Sequence, residues 1–217
     1  HILGDRLFRV VLIGSCLTSF SSAGVLAWGP TFAMRTFGAD TATVGAQLGL
    51  GIALLGGVSM ALGGVMAHRV RIRHGRAATF RVVAVMQLLA VPILCLALIG
   101  TNLGVALVLL GLFYGLMHLF VPVYWTSATA MPATLRATTS AVGVLTMVVV
   151  GSGLAPLVVG LLSDLFSPWL GTLALASAIS VLALTVTLSS VAFLVAGRIA
   201  AGPDMFPAQK RTPSAIP

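Results

Sequence analysis

Tyr114, His118 and Trp125 recur at steps of four and seven residues in a stretch otherwise made of Leu, Val, Phe and Gly. On a helix that spacing sets all three along one stripe. A histidine and a tyrosine so placed can hydrogen-bond a solute, and an imidazole can change its charge near neutral pH and gate one. The competing use is a neutral histidine held by a neighbouring helix, with Trp125 in an interfacial aromatic belt. A second stripe, Ser15, Thr18, Ser19 and Ser22, repeats at offsets of three, four and seven. It suits either the wall of a water-filled path or hydrogen-bonded helix contact. Gln47 is a further polar candidate for a cavity wall. The chemistry these residues offer is binding. Cys16 and Cys95 both sit in apolar segments, read as small buried residues, and form neither a zinc spacing nor a disulfide framework. No cofactor or metal is implied.

The elements that must position these side chains follow from where charge is missing. The 217 residues include twelve Lys or Arg and four Asp or Glu. Val10–Met34, Thr41–His68, Val82–Leu135, Ala137–Ser163 and Leu165–Gly197 carry none of them, and the third stretch is broken by Gly100-Thr101-Asn102-Leu103-Gly104. Six apolar segments result, over 8–34, 42–67, 78–100, 103–131, 138–162 and 170–197. Each reaches the roughly 20 residues needed to cross about 30 Å of hydrocarbon. Backbone polar groups in lipid must be satisfied within their own segment, so the expectation is an all-α integral membrane protein of six transmembrane helices. A mean hydropathy of +1.11 excludes an ordinary soluble domain. The basic residues sit in short connections and form no extended face, which argues against nucleic acid despite a pI near 11.4.

The connections also orient the chain. Arg6 and Arg9 precede the first segment, and Arg69, Arg71, Arg73, Arg76 and Arg81 lie between the second and third. Arg136 follows the fourth, and Arg198, Lys210 and Arg211 follow the sixth. Alternate connections thus hold eleven of the twelve basic residues, and the positive-inside rule makes them cytoplasmic, both termini included. The arginine cluster sets topology and meets anionic headgroups; its sharper use is a charged gate between helix bundles. Residues 1–201 read as the bundle and 202–217, rich in Pro and polar residues, as a disordered cytoplasmic tail. The chain opens on His1 with no signal-peptide pattern, so the expectation is that its start lies further upstream.

The second segment is dense in glycine, at Gly45, Gly49, Gly51, Gly56, Gly57, Gly63 and Gly64. Gly45 with Gly49, and Ala53 with Gly57, have the spacing that lets helices approach closely in lipid. Pro122, in the fourth segment, and Pro156, just after Gly151-Ser152-Gly153 in the fifth, predict kinks. No segment interior contains Asp, Glu, Lys or Arg, so a self-contained carboxylate proton relay is absent.

Three stretches carry a family resemblance. They are Ala27-Trp28-Gly29-Pro30-Thr31-Phe32-Ala33-Met34-Arg35, Gly63-Gly64-Val65-Met66-Ala67-His68-Arg69, and a longer signature. The signature runs from Pro122-Val123-Tyr124 through Met131-Pro132-Ala133-Thr134-Leu135-Arg136-Ala137-Thr138 to Gly153-Leu154-Ala155-Pro156 and Gly160-Leu161-Leu162-Ser163-Asp164. Over about residues 8–197 the chain resembles the C-terminal half of a major facilitator superfamily transporter of the spinster-like group. The resemblance implies one six-helix half of a twelve-helix fold that works by alternating access around a central site. It sets the first and fourth segments beside that site, with Ser15, Ser19, Ser22, Gln47, Tyr114 and His118 as cavity-lining candidates. It makes Gly64, His68, Arg69, Arg136 and Asp164 a gating set. The family's loop motif has Asp where His68 stands, and a histidine cannot supply the negative charge that locks the inward gate. Spinster-like proteins are associated with export of sphingolipids and lysophospholipids in animals, and proton coupling generally uses acidic residues of the first half.

The function these readings favour is secondary transport of a small organic or amphipathic solute. It requires the lipid bilayer and the missing N-terminal six-helix half, in the same chain or as a second copy, and leaves proton coupling open. The location expected is a bacterial inner membrane. The alternative is a non-transporting membrane remnant or interaction subunit. An intramembrane serine protease is the least favoured reading, because rhomboid-type enzymes need Gly-x-Ser-Gly and a serine that precedes its histidine.

Overall fold

The computed structural model describes residues 4–129, 131 and 133–202; Pro132 of the signature and the tail from residue 203 onward, Lys210 and Arg211 included, lie outside them. Everything described is helical or a short turn between helices. Helix α1 spans Arg6–Phe37. The Asp5 carboxylate caps its start by accepting from the Phe8 N–H at 2.9 Å. Gly38, at φ +65°, ends it in the left-handed conformation glycine adopts without steric cost. Helix α2 spans Thr41–Ile99 and is capped by Asp40, which accepts from the Thr43 N–H at 2.9 Å. Hydrogen bonds from the Thr43 side chain and backbone hold the Asp40 carboxyl below its ordinary 3.8. Asn102 caps α3, Leu103–His118, by accepting from the Val105 N–H at 3.1 Å. Then follow α4 (Val121–Ala128), α5 (Ala133–Met147), a π-helical turn over Val148–Leu154, α6 (Ala155–Leu170), a 3₁₀ turn at Gly171–Leu173, α7 (Ala174–Ser180) and α8 (Leu182–Ile199).

Four helical runs among the described residues are long and apolar enough to cross a membrane: Arg6–Phe37, Thr41–Ile99, Leu103–Ala128 and Ala133–Ile199. This corrects the expected boundaries. The arginines of residues 69–81 do not form a loop. They sit on helical turns either side of Gly75, whose φ of +80° and ψ of 177° interrupt α2. Helix α2 therefore has two limbs. In the first, Gly56 lies against the Tyr114 ring and Gly63 against Leu119, so it runs parallel to α3. In the second, Gly197 meets the Ala77 carbonyl and the Ser190 hydroxyl donates to the Ala84 carbonyl, so it runs antiparallel to α8. Helix α1 is likewise antiparallel to α8, with Gly14 on Phe193 and Gly24 on Leu182. The chain reverses at Gly75.

The same reversal is written in the core, which has two clusters. One gathers Phe8, Val11, Ala67, Phe80, Val123, Tyr124 and Phe193. The other gathers Phe32, Val44, Leu94, Leu110, Val159, Ile179 and Val186. Both limbs of α2, and also α1, the α3–α4 run and the α7–α8 run, place one end in each cluster. Between the clusters lies a buried polar lattice. The Gln87 side-chain amide donates to the Thr18 hydroxyl at 2.7 Å, and the Ser189 hydroxyl stands 2.9 Å from the Gln87 carbonyl oxygen and 2.8 Å from the Gly14 carbonyl. Ser21 and Thr185 pair at 2.6 Å beside it. These bonds tie α1, the second limb of α2 and α8.

Two packing expectations are revised. Gly45, Gly49, Gly51, Gly57 and Gly64 have open space where a Cβ would stand, and only Gly56 and Gly63 of that set are in close contact. Their partners are supplied from α3, where Gly111 meets the Gly51 backbone and Gly115 meets Leu55 and Ser59. Cys95 is exposed rather than buried, whereas Cys16 is buried.

Three stability outcomes follow. A Cβ at Gly143 would overlap the rigid Tyr124 hydroxyl, so Gly143→Ala should cost about 1–3 kcal/mol by overpacking. Gly57→Ala, which meets nothing, should stay within about 1 kcal/mol of wild type. Gln87→Met keeps most of the volume and removes the lattice; it should cost about 0.6–1.7 kcal/mol. Thermal unfolding of the purified protein measures all three, and equal effects at Gly143 and Gly57 would contradict the packing described.

Candidate functional site

Pro122 has no N–H to give to the His118 carbonyl four residues earlier, and the helix opens at Leu119–Phe120 between α3 and α4. The expected stripe is therefore divided. Tyr114 and His118 stay together on the last turn of α3, with ring centroids 4.1 Å apart and planes inclined by 31°. Trp125 falls on α4, beyond the break, 39% exposed and edge-on to Tyr124 at 5.5 Å. His118 Nδ1 lies 2.8 Å from the Tyr114 carbonyl oxygen. A carbonyl only accepts, so Nδ1 carries the proton, and the neutral ring keeps Nε2 as its acceptor. The site thus offers a phenol that donates or accepts and an imidazole nitrogen that accepts when neutral and donates when charged.

Opposite α3, the chain widens into the π-helical turn at Val148–Leu154. Gly151 allows this turn to approach the Ser19 backbone, where an added Cβ would lie 3.0 Å away. The Trp28 indole N–H donates to the Pro156 carbonyl at 2.8 Å and fixes the start of α6 on α1. Between these walls lies a cavity of about 230 Å³ lined by Ser19, Ser22, Tyr114, His118, Gly151 and Ser152. Three of its polar side chains come from α1 and the π turn, and two rings from α3.

The serine stripe divides as well. Ser19 and Ser22 line the cavity, while Ser15 and Thr18 are fully buried. Thr18 belongs to the Gln87–Ser189 lattice, and the Ser15 hydroxyl has no hydrogen-bond partner. Gln47 is exposed near the start of α2 and does not line the cavity. Gly64 and His68 line a second cavity, also of about 230 Å³, beside Gly75, and exposed Arg69 is outside its lining. Arg136 donates from Nε to the Met131 carbonyl at 2.9 Å. Asp164 is exposed on α6, among neighbours that pack on the core cluster opposite the one holding Ala67 and Met131, so it does not join the other gating candidates. Sequence reasoning missed Gln87 and Ser152. The signal for Gln87 was a lone amide in the uncharged Val82–Ile99 stretch; for Ser152 it was its place between two glycines before a proline.

An MFS-type efflux pump of Mycolicibacterium smegmatis (strain ATCC 700084 / mc(2)155) is 29% identical to this chain over 184 residues, which is 84% of this chain and 42% of the pump. A bacterial homologue of the human lysosomal transporter Spinster, solved in an inward-facing and unoccupied conformation, matches with a TM-score of 0.79 at 17% identity. That match covers 91% of this chain and 48% of the homologue. The inward-facing and occupied conformation matches at 0.78 and 18%, over 88% of this chain and 49% of the other. No protein-family model matches the chain. The chain spans about half the length of these relatives, shares the fold of the Spinster homologue over that half, and is an integral membrane protein. The proteins it resembles are an efflux pump and a transporter homologue, and neither is a protease.

The divided serine stripe generates a direct outcome. In a background without Cys16 and Cys95, Ser19→Cys should react with a small water-borne maleimide at least about tenfold faster than Ser15→Cys, because thiol reactivity follows access to water. Labelling followed by mass spectrometry checks it, and equal rates would mean the cavity is dry.

Proposed function

We propose that this chain is the C-terminal six-helix half of a secondary transporter that moves a small organic or amphipathic solute by alternating access. The observation that carries the reading is the cavity at Tyr114, His118, Ser19 and Ser22, walled by an interrupted helix and a π-helical turn. Irregular backbone at membrane depth is tolerated where it lines such a space.

Six crossings are supported by length and direction. A straight helix of 59 residues would extend about 90 Å, roughly three times the hydrocarbon thickness. The reversal at Gly75, and a second at Gly171 with φ +52°, divide the two longest runs into limbs that fit a bilayer. Cytoplasmic termini in a bacterial inner membrane are supported by charge. Arg6, Arg9, Arg69, Arg71, Arg73, Arg76, Arg81, Arg136 and Arg198 gather at the end marked by Phe8, Ala67 and Phe193. The other end has Arg35 with Asp40, Asn102 and Asp164.

A second six-helix bundle, from the same polypeptide or another copy, is supported by an exposed stripe on the first limb of α2. Gly45, Gly49, Ala53, Gly57 and Ala61 repeat every fourth residue and face no neighbour within the described bundle. Small residues at that spacing suit close helix contact in lipid. In the gating set, Gly64, His68, Arg69 and Arg136 serve the cytoplasmic face and Asp164 the opposite one.

The test is transport of a solute panel by the full-length protein in proteoliposomes. His118→Ala removes one hydrogen bond to the bound solute and should lower uptake about tenfold, the equivalent of about 1.4 kcal/mol, with normal membrane insertion. Wild-type rates for this variant from pH 5 to pH 8 would remove His118 from the mechanism. Absence of uptake for every solute, with the protein correctly inserted, would favour a non-transporting subunit.

A further inference from the structure

The walls of the Tyr114–His118 cavity come from three stretches without Asp, Glu, Lys or Arg. Ser19 lies within residues 10–34, Tyr114 and His118 within 82–135, and Ser152 within 137–163. Among the described residues, no carboxylate, ammonium or guanidinium lines the space. Four polar groups face it instead. The Ser19, Ser152 and Tyr114 hydroxyls have no hydrogen-bond partner among the described residues, whereas the Ser22 hydroxyl donates to the Ser19 carbonyl. His118 commits Nδ1 to the Tyr114 carbonyl and keeps Nε2 as an acceptor. Leu26, Val144 and Met147 make the apolar part of the wall.

We propose that this cavity binds an uncharged, ring-sized organic group that carries a hydroxyl or carbonyl. An ion that leaves water for such a space loses its hydration, and these walls hold no opposite charge to offset the loss. A carboxylate would also face the lone pair of Nε2. An ammonium would find acceptors but no negative charge. A neutral group gives up only hydrogen bonds to water, and hydroxyls replace those in either direction. A solute hydroxyl can donate to Nε2 of His118 and accept from Tyr114 or a serine. The volume of about 230 Å³ falls below the roughly 300–1,000 Å³ of pockets that enclose a whole drug-sized ligand. The space therefore suits one ring and its substituent rather than an entire lipid.

The proposal deepens the transport reading and rests on its choice of this cavity as the solute site. It narrows a small organic or amphipathic solute to one that meets this half of the protein without net charge. Binding is read without a gradient, so the ligand class and the transport activity succeed or fail separately.

Four probes of one skeleton test it at neutral pH: benzyl alcohol, the benzylammonium cation, the benzoate anion, and toluene, which lacks a polar group. The full-length protein in lipid nanodiscs, without Cys16 and Cys95, carries one reporter thiol. Ala23→Cys places it on the cavity wall, and Thr172→Cys places it on an exposed turn outside the cavity. Benzyl alcohol should slow maleimide labelling of Ala23→Cys about threefold or more and leave Thr172→Cys unchanged. Each ion should need about tenfold more for the same protection. Replacing Ser19 and Ser152 together by alanine should weaken protection by benzyl alcohol severalfold, with gel filtration confirming a folded protein. Protection by either ion at the concentration of benzyl alcohol would overturn neutrality as the selected feature. Equal protection by toluene would overturn the hydrogen-bonding role of the hydroxyls. Equal slowing at Thr172→Cys, or no protection by any probe, would overturn the site itself. Protection by benzyl alcohol in a protein that moves no solute in proteoliposomes would uphold the ligand class and remove the transport reading.

Discussion

A polar group held away from water must find its hydrogen bonds inside the protein, and the Thr18–Gln87–Ser189 lattice is where this bundle meets that demand. An amide in the apolar stretch that follows Gly75 has no solvent to turn to. Its N–H reaches Thr18 and its carbonyl oxygen faces Ser189. The three side chains belong to three different limbs, so satisfying one amide fixes the rotation of α1, α8 and the second limb of α2 together. Hydrogen bonds of this kind contribute about 0.6 kcal/mol on average in membranes. Their larger effect is to exclude alternative rotations, each of which leaves a buried donor or acceptor unpaired.

With those three elements locked, the remaining ones attach by shape. The first limb of α2 rests on α3 through glycines that bring the backbones together at Gly63, Gly111 and Gly115. The segment after α4 cannot pack as a regular helix. It widens into a π turn before Pro156 and is held to α1 by the Trp28 indole. Regular hydrogen bonding is thus interrupted on both sides of the Tyr114–His118 cavity, at Leu119–Phe120 and at Val148–Leu154. The irregular backbone and the polar side chains occur together, which is the arrangement expected of a space that a solute and water enter.

Buried hydroxyls without partners occur on α1, α4 and α5: Ser15, Tyr124 and Thr139. Tyr124 is also pressed against Gly143 of α5. Hydroxyls left unpaired cost free energy that paired ones do not. The contact between α4 and α5 is accordingly weaker in hydrogen bonding than the lattice that fixes α1, α8 and the second limb of α2. The cavity beside Gly75 borders α4 through Pro122, Val123, Thr126 and Ser127.

What the amino-acid order determined by itself was whatever depends on neighbours within a turn or two. Uncharged stretches marked the helical runs, Pro122 and Pro156 marked the two irregularities, and the four-residue step paired Tyr114 with His118. The tertiary structure alone decided what depends on the rotation of one helix against another. The stripe of Ser15, Thr18, Ser19 and Ser22 is a single pattern in the sequence, yet its first two members are buried and its other pair faces a cavity. Gln87 gave no periodic signal and found its partners on helices far away in the chain. Gly45, Gly49 and Gly57 had the spacing for close packing, and Gly56 and Gly63 made the contacts. Arg71 and Arg76 line one cavity only because the backbone turns at Gly75. Local hydrogen bonding is set by the residues that make it, whereas the facing of a helix is set by every contact it makes at once.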